Sequence, residues 1–194
     1  MRYPRGTAVV KLSVHSPELE AWRLAVGFDR SESIKTTAAQ RGTDVHKLME
    51  KIALGKSPRI SKAYTGHIEQ FRKYIKEYEP EFIQPEATLF SKTHGYATTM
   101  DAIAKVKGRV GTLEYKTSKG IYPSHRYQAA SQFQLAMENG FRPKFAQVVI
   151  IRPDRREVLT LEETELKVYF QRFLTFLAHF KEFVLPNLPD EPQR

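Results

Sequence analysis

The stretch YATTMDAIAKVKGRVGTLEYKT, residues 96–117, decides how this chain is read. Tyr96 to Val106 and Val110 to Thr117 alternate with the period of strands, and Lys107-Gly108 between them is turn material. If those two residues are the whole loop, Val106 faces Arg109, and by the same register Asp101 lies opposite Glu114. Cβ atoms so paired stand about 4.5–5.5 Å apart. Two carboxylates in that position repel unless one is protonated or a cation sits between them, and a divalent metal is the economical answer. Lys116 follows Glu114 by two, which puts its ammonium on the same face, while Leu113 and Tyr115 point the other way into a core. Asp, Glu and Lys on one face suit phosphodiester hydrolysis: carboxylates hold a hard ion, the ion acidifies water, and an ammonium steadies the developing charge. The same pattern also describes an exposed sheet face of alternating charge, and one bulged residue would send Asp101 to the other side.

Moving outward, Ile83 to Phe90 reads as a strand before His94-Gly95, completing a three-stranded meander. Ser124 can cap a helix that runs to Asn139-Gly140. Phe145 to Ile151 reads as a buried strand, and Arg152-Pro153-Asp154 turns it into Glu157 to Thr160. A final helix with a wide apolar face follows, with Thr160 and Glu163 as a capping box and Pro186 as its stop. Towards the N-terminus, Val45, Leu48, Met49, Ile52 and Ala53 give a helix from Thr37 to a stop at Gly55, and Ile68, Phe71 and Ile75 give another over Ser61 to Tyr78. Earlier still, a strand is expected at Ala8 to Val14 and a short helix at Pro17 to Val26. The fold class expected is α/β, a central mixed sheet with an antiparallel meander flanked by helices on both faces. Three regions follow: an N-terminal arm over 1–35, one domain over 36–185, and a loose tail over 186–194.

The chain has 194 residues with 31 Lys plus Arg against 22 Asp plus Glu, a formal charge of +9, and 41 % apolar residues, enough for a real core. Basic proteins are drawn to polyanions, so nucleic acid leads the partners. Between Asp101 and Arg126 six basic residues face two acids, a net +4. With no cysteine, disulfides, thiolate zinc, iron–sulfur clusters and thiol nucleophiles are all excluded. The opening residues lack the apolar stretch of a signal peptide, and no run approaches the ~18 apolar residues of a membrane span. A cytoplasmic protein with no membrane partner is the expectation.

Three further residues could join the acidic pair. His46 adjoins the apolar stripe of its helix and could reach the sheet as a metal ligand, which would move the preference from magnesium towards manganese. Arg41 and Thr43, just ahead of it, could hold phosphate; all three could equally be helix-border, surface and capping residues.

Taken together, Arg41-Gly42-Thr43-Asp44-Val45-His46, Gly95 to Asp101, Glu114-Tyr115-Lys116-Thr117 and Gln128 resemble the RecB-like branch of the PD-(D/E)XK nuclease superfamily. That branch includes lambda-type, phage recombination and CRISPR-associated exonucleases. The resemblance spans about residues 36–152 and implies a restriction-endonuclease-like core. It implies Mg²⁺ or Mn²⁺ held by His46, Asp101, Glu114 and the Tyr115 carbonyl, with Glu86 as an additional carboxylate and Lys116 as the catalytic lysine. Gln128 matches the start of the family's Gln-x-x-x-Tyr motif, whose tyrosine is Gln132 here, and Thr98 stands where a glycine is usual. Arg41, Thr43, Lys119, Arg126, Gln128 and Gln132 would then contact substrate.

The function expected is metal-dependent cutting of DNA, single- or double-stranded, by an exonuclease leaving 5′-phosphates in recombination, repair or phage replication. The cell would be a bacterium or a phage-infected host. Ring-forming relatives imply a homo-oligomer, and the role implies a recombination or replication partner protein. Two alternatives stay open: a catalytically silent nucleic-acid-binding accessory protein on the same fold, and a structure-specific endonuclease.

Overall fold

A computed structural model describes residues 3–14 and 16–188. A five-stranded sheet in the order β1-β2-β3-β4-β5 forms its centre: β1 (Glu81–Ser91), β2 (Tyr96–Val106), β3 (Arg109–Lys116), β4 (Phe145–Ile151) and β5 (Arg156–Glu162). Only the β3–β4 pair is parallel. It is joined by the crossover helix α5 (Pro123–Glu138), which makes the sheet mixed. The expected α/β class is therefore what the chain adopts.

Lys107 and Gly108 both have positive φ, 48° and 81°, the backbone of a two-residue hairpin whose twist matches its strands. The predicted register follows from Val106↔Arg109 to Ala102↔Leu113. The pairing stops there, one step short of Asp101 and Glu114.

Helices cover both faces. Against one lie α1 (Gly6–Ser13), α5 and α6 (Glu163–His179), whose Val9, Phe133 and Phe173 share a core with Ile103 and Val148 of the sheet. Against the other lie α3 (Phe28–Ala53) and α4 (Thr65–Tyr78), whose Val45, Met49 and Phe71 pack on Ala102, Leu113 and Tyr115. A short helix α2 (Pro17–Val26) runs beside α3 and buries none of its residues. Among the described residues no helix is long and apolar enough to cross a membrane.

Several expectations need correction. The strand expected at Ala8 to Val14 is helix α1: Gly6, Val9 and Val10 are its buried positions, spaced for a helix, and packing against α5 and α6 overrides the β preference of valine. The boundary expected between residues 35 and 36 falls inside α3, which runs unbroken from Phe28 rather than starting at Thr37. A 3-10 turn, Lys62–Tyr64, takes the place of the first turn expected at Ser61. Helix α5 is capped from Tyr122 and not Ser124, because Pro123 occupies its first position. The capping box of α6 is Glu162 with Glu165, two residues on from the pair expected, because β5 extends to Glu162. Pro186 lies within a last 3-10 turn, after α6 has loosened into a π-turn at Phe180–Val184. Of the tail expected at 186–194, positions 189–194 lie outside the described residues.

Gly111 of β3 has to be glycine for packing. A Cβ there would come within 2.4–2.6 Å of three carbons of the Phe145 ring, its parallel partner. Gly111→Ala is expected to cost about 1–3 kcal/mol, the usual range for overpacking, read as a lower midpoint in urea with an unchanged slope.

Candidate active site

The alternation of β2 slips at Asp101. Tyr96 and Met100 lie in the core with α5 and α6, yet Ala102, two residues on, lies in the core with α3 and α4. An unbroken strand would put Met100 and Ala102 on one face. Across from the slip, on β1, Glu86 has φ 51°, and the pairing passes from Pro85↔Ala102 to Ala87↔Met100 over it. These irregularities aim the Asp101 carboxylate between the layers. Its Oδ1 accepts from His46 Nδ1 of α3 at 2.9 Å, and its Oδ2 accepts from the Tyr115 main-chain N–H at 2.7 Å. In an extended strand the N–H and C=O of one residue point to the same side, so the Tyr115 carbonyl faces this gap as well.

Glu114 is turned towards α5. Its Oε1 accepts from Gln128 Nε2 at 2.6 Å and from the Lys116 ammonium, and its Oε2 accepts from Gln132 Nε2 at 2.6 Å. Of the three side chains expected to meet at one point, His46 and Asp101 touch, while Glu114 is bound separately. Among the described residues no three His, Cys, Asp or Glu side chains are grouped as a ready metal centre. The physical reason is that two carboxylates this close repel, and each takes the donors nearest to it. A cleft of about 460 Å³ opens beside the pair, lined by Thr43, His46, Glu86, Asp101 and Tyr115. Arg41 and Lys119 are exposed, and Arg126 is half-buried on α5.

No family model and no curated protein matches the chain. Among solved structures it is similar to an alkaline exonuclease from Laribacter hongkongensis, 11 % identical over 92 % of this chain and 91 % of that one, with a TM-score of 0.45. The same enzyme in complex with dAMP is 13 % identical over 91 % and 89 % of the two chains, with a TM-score of 0.39. A protein from Eubacterium rectale described as a candidate exonuclease is 11 % identical over 79 % and 77 %, with a TM-score of 0.47. At overlays this loose the chemistry has to come from the side chains of the chain itself.

Their electrostatics are those of a strained polar site. Burial pushes the Glu114 carboxyl up and Asp101 pushes it further, against the pull of Lys116 and Gln132. Burial would lower Lys116, but Glu114 and Asp101 outweigh it and raise the ammonium above its ordinary value. Burial likewise works against the His46 imidazolium, and the Asp101 carboxylate overcomes it, so that group too is raised.

Two cleft residues escaped the sequence reading. Glu50 and Lys47 line the cleft. Glu50 follows His46 by four, the spacing of neighbours on one helix face, and that spacing could have found it. Glu86 is raised by burial and then by the neighbouring Glu50 and Asp101 carboxylates.

His125, at the start of α5, is pushed down to about 4 by burial and by Lys116 and Arg126, and its Nδ1 accepts from the Tyr122 main-chain N–H at 3.1 Å. A histidine held neutral in this way binds its proton more readily unfolded than folded. Its contribution to stability is therefore whole above about pH 6.5 and is lost as pH falls towards 4. His125→Asn, which keeps an acceptor, is expected to flatten the fall of Tm over that window. Parallel melting curves of variant and parent would show no difference in slope if His125 were not buried neutral.

Proposed function

We propose that this protein is a metal-dependent DNA nuclease of the PD-(D/E)XK type, an exonuclease leaving 5′-phosphates and acting in recombination, repair or phage replication. The observation that carries this reading is the pair of adjoining contacts at the end of the β2–β3 ladder. His46 with Asp101 lies on one side, and Glu114 with Lys116 on the other, beside a cleft in a chain of net charge +9.

The donor set suits a hard divalent cation. Asp101 keeps a free lone pair on each oxygen, His46 has its second ring nitrogen, and the Tyr115 carbonyl faces the same gap. His46, Asp101 and that carbonyl would hold Mg²⁺ or Mn²⁺, with Glu114, and Glu86 as an additional carboxylate. Bound there, the ion would polarise the phosphate and acidify a water. Lys116, held as an ammonium by two carboxylates, acts as a donor: it steadies negative charge on phosphate oxygens and supplies no base. Gln128 and Gln132 fix the Glu114 carboxylate, and so fix where the ammonium stands. Arg41, Thr43, Lys119 and Arg126 grip the backbone without reading sequence, which makes binding sensitive to salt.

A second reading draws support from Glu114, three of whose four lone-pair directions are taken by Lys116, Gln128 and Gln132. It is a nucleic-acid-binding accessory protein without turnover. Linear duplex, closed circular duplex and end-labelled single strands incubated with Mn²⁺ separate the possibilities. The nuclease reading expects loss of the linear substrates with the circle intact. Cutting of the circle would make it an endonuclease, and no cutting with intact binding would leave the accessory protein.

A further inference from the structure

Helix α5 leads from the Lys116 side of the site out to the surface. His125, Gln128 and Gln132 follow at intervals of three and four, which puts them within ~60° of one another on one helix face. Gln128 and Gln132 hold Glu114, each at 2.6 Å, and Glu114 holds the Lys116 ammonium. His125 stands one turn before Gln128 and is buried with it. Beyond His125 comes Tyr122, ~9 Å along the axis from Gln128, and it is 44 % exposed. The strand-to-helix connection also touches the opposite wall. A Cβ on Gly42, which lines the cleft on α3, would stand 3.4 Å from Thr117 Oγ1, and Thr117 follows Lys116 directly. The segment 117–122 thus borders the cleft at one end and carries Tyr122 at the other.

Tyr122 is held in place. Its main-chain N–H donates to His125 Nδ1 at 3.1 Å, and its carbonyl accepts from the His125 main-chain N–H at 3.0 Å. The two rings meet at 70° with centroids 5.4 Å apart. Tyrosine is not among the small polar residues that favour a helix start, and here the histidine closes that start from inside. What remains is an aromatic ring pinned on one side and open to solvent. The charge around it has one sign. Between Glu114 and Glu138 the chain has no acid, and its cations are Lys116, Lys119 and Arg126. Among the described residues neither Lys119 nor Arg126 forms an ion pair.

A fixed, open ring among unpaired cations suits a single strand, since every base offers a π face and every phosphate a negative charge. The spacing gives the place along that strand. Stacked nucleotides lie ~3.4 Å apart, so ~9 Å spans two or three of them and fewer when the strand is extended. We propose that Tyr122 is a stacking platform for an unpaired base of the nucleic-acid strand, one to three nucleotides from the phosphate that Lys116 serves. The proposal rests on the nuclease reading. It adds to it a residue that no motif marks and a substrate feature, an unpaired base beside the cut.

The test is binding, in EDTA where nothing is cut, of a short fluorescein-labelled oligothymidylate and of an abasic strand of the same length. Tyr122→Leu, which keeps apolar bulk and loses the ring, should weaken oligothymidylate binding about 5- to 150-fold, the worth of one stacked base. It should bind the abasic strand like the parent, with the slope of log K against log salt unchanged, because no charge is lost. Tyr122→Phe, which keeps the ring, should bind both strands like the parent. The parent should itself prefer oligothymidylate to the abasic strand by at least the factor that the leucine variant loses, and absence of that preference would overturn the platform. Equal weakening on both strands, or a flatter salt slope, would make Tyr122 a support of its loop and overturn the platform as well. Parental binding by Tyr122→Leu would do the same and leave the nuclease reading to the Lys116 experiment below. A parent that binds linear duplex but neither single strand would overturn the platform alone, and one that binds no nucleic acid would overturn both.

Discussion

Lys116→Ala is expected to bind DNA within a few-fold of the parent and to cut it about 10²–10⁴-fold more slowly, the usual worth of one positioned proton-bearing group. The two halves of this result come from different features of the structure. Binding is spread over Arg41, Lys119, Arg126 and the surrounding charge, so losing one partly buried cation among many changes it little. Cutting depends on an ammonium at one place, and that place is set by Glu114, itself clamped by Gln128 and Gln132 at 2.6 Å each. Glu114 keeps both glutamines in the variant, so the fold should survive, which a melting curve checks. Single-turnover cleavage with saturating Mn²⁺ measures the effect. A rate within about threefold of the parent would remove Lys116 from the chemistry, and weakening of binding by as much as cutting would reassign it to substrate contact.

Asp101→Asn is expected to have the other large effect: loss of stoichiometric Mn²⁺ binding by isothermal titration, with cutting down by at least ~10²-fold. The amide oxygen can still accept from the Tyr115 N–H, so the local backbone should hold. The charge that faces His46 is gone, however, and a neutral oxygen is a far weaker ligand for a hard cation. The accessory-protein reading expects the opposite, no Mn²⁺ site in the parent and hence no change in the variant. Retention of parental Mn²⁺ affinity in Asp101→Asn would place any metal site elsewhere and take the carrying observation from the nuclease reading.

Local rules reached a good part of this molecule. The Lys107-Gly108 loop is short enough that its length sets the register, and the pairs from Val106↔Arg109 to Ala102↔Leu113 follow from counting. Period-two alternation in β3 likewise separates Glu114 and Lys116 from Leu113 and Tyr115, because a strand has no other way to point its side chains. The same rules fail at Val9-Val10. The residues are strand formers by themselves, and their helix exists because α5 and α6 bury that face. They fail again at Asp101. The slip there answers to Glu86 on β1, and a strand cannot report the shape of a neighbour fifteen residues away.

The charge balance, the order of elements from α4 onward and the register of the β2–β3 hairpin were thus set by the sequence alone, since each depends on composition, periodicity or a two-residue turn. Tertiary structure alone decided that Asp101 pairs with His46 while Glu114 turns to Gln128 and Gln132. Those groupings join side chains from elements far apart in the chain. Packing of helix on sheet settles them, and no local pattern encodes it.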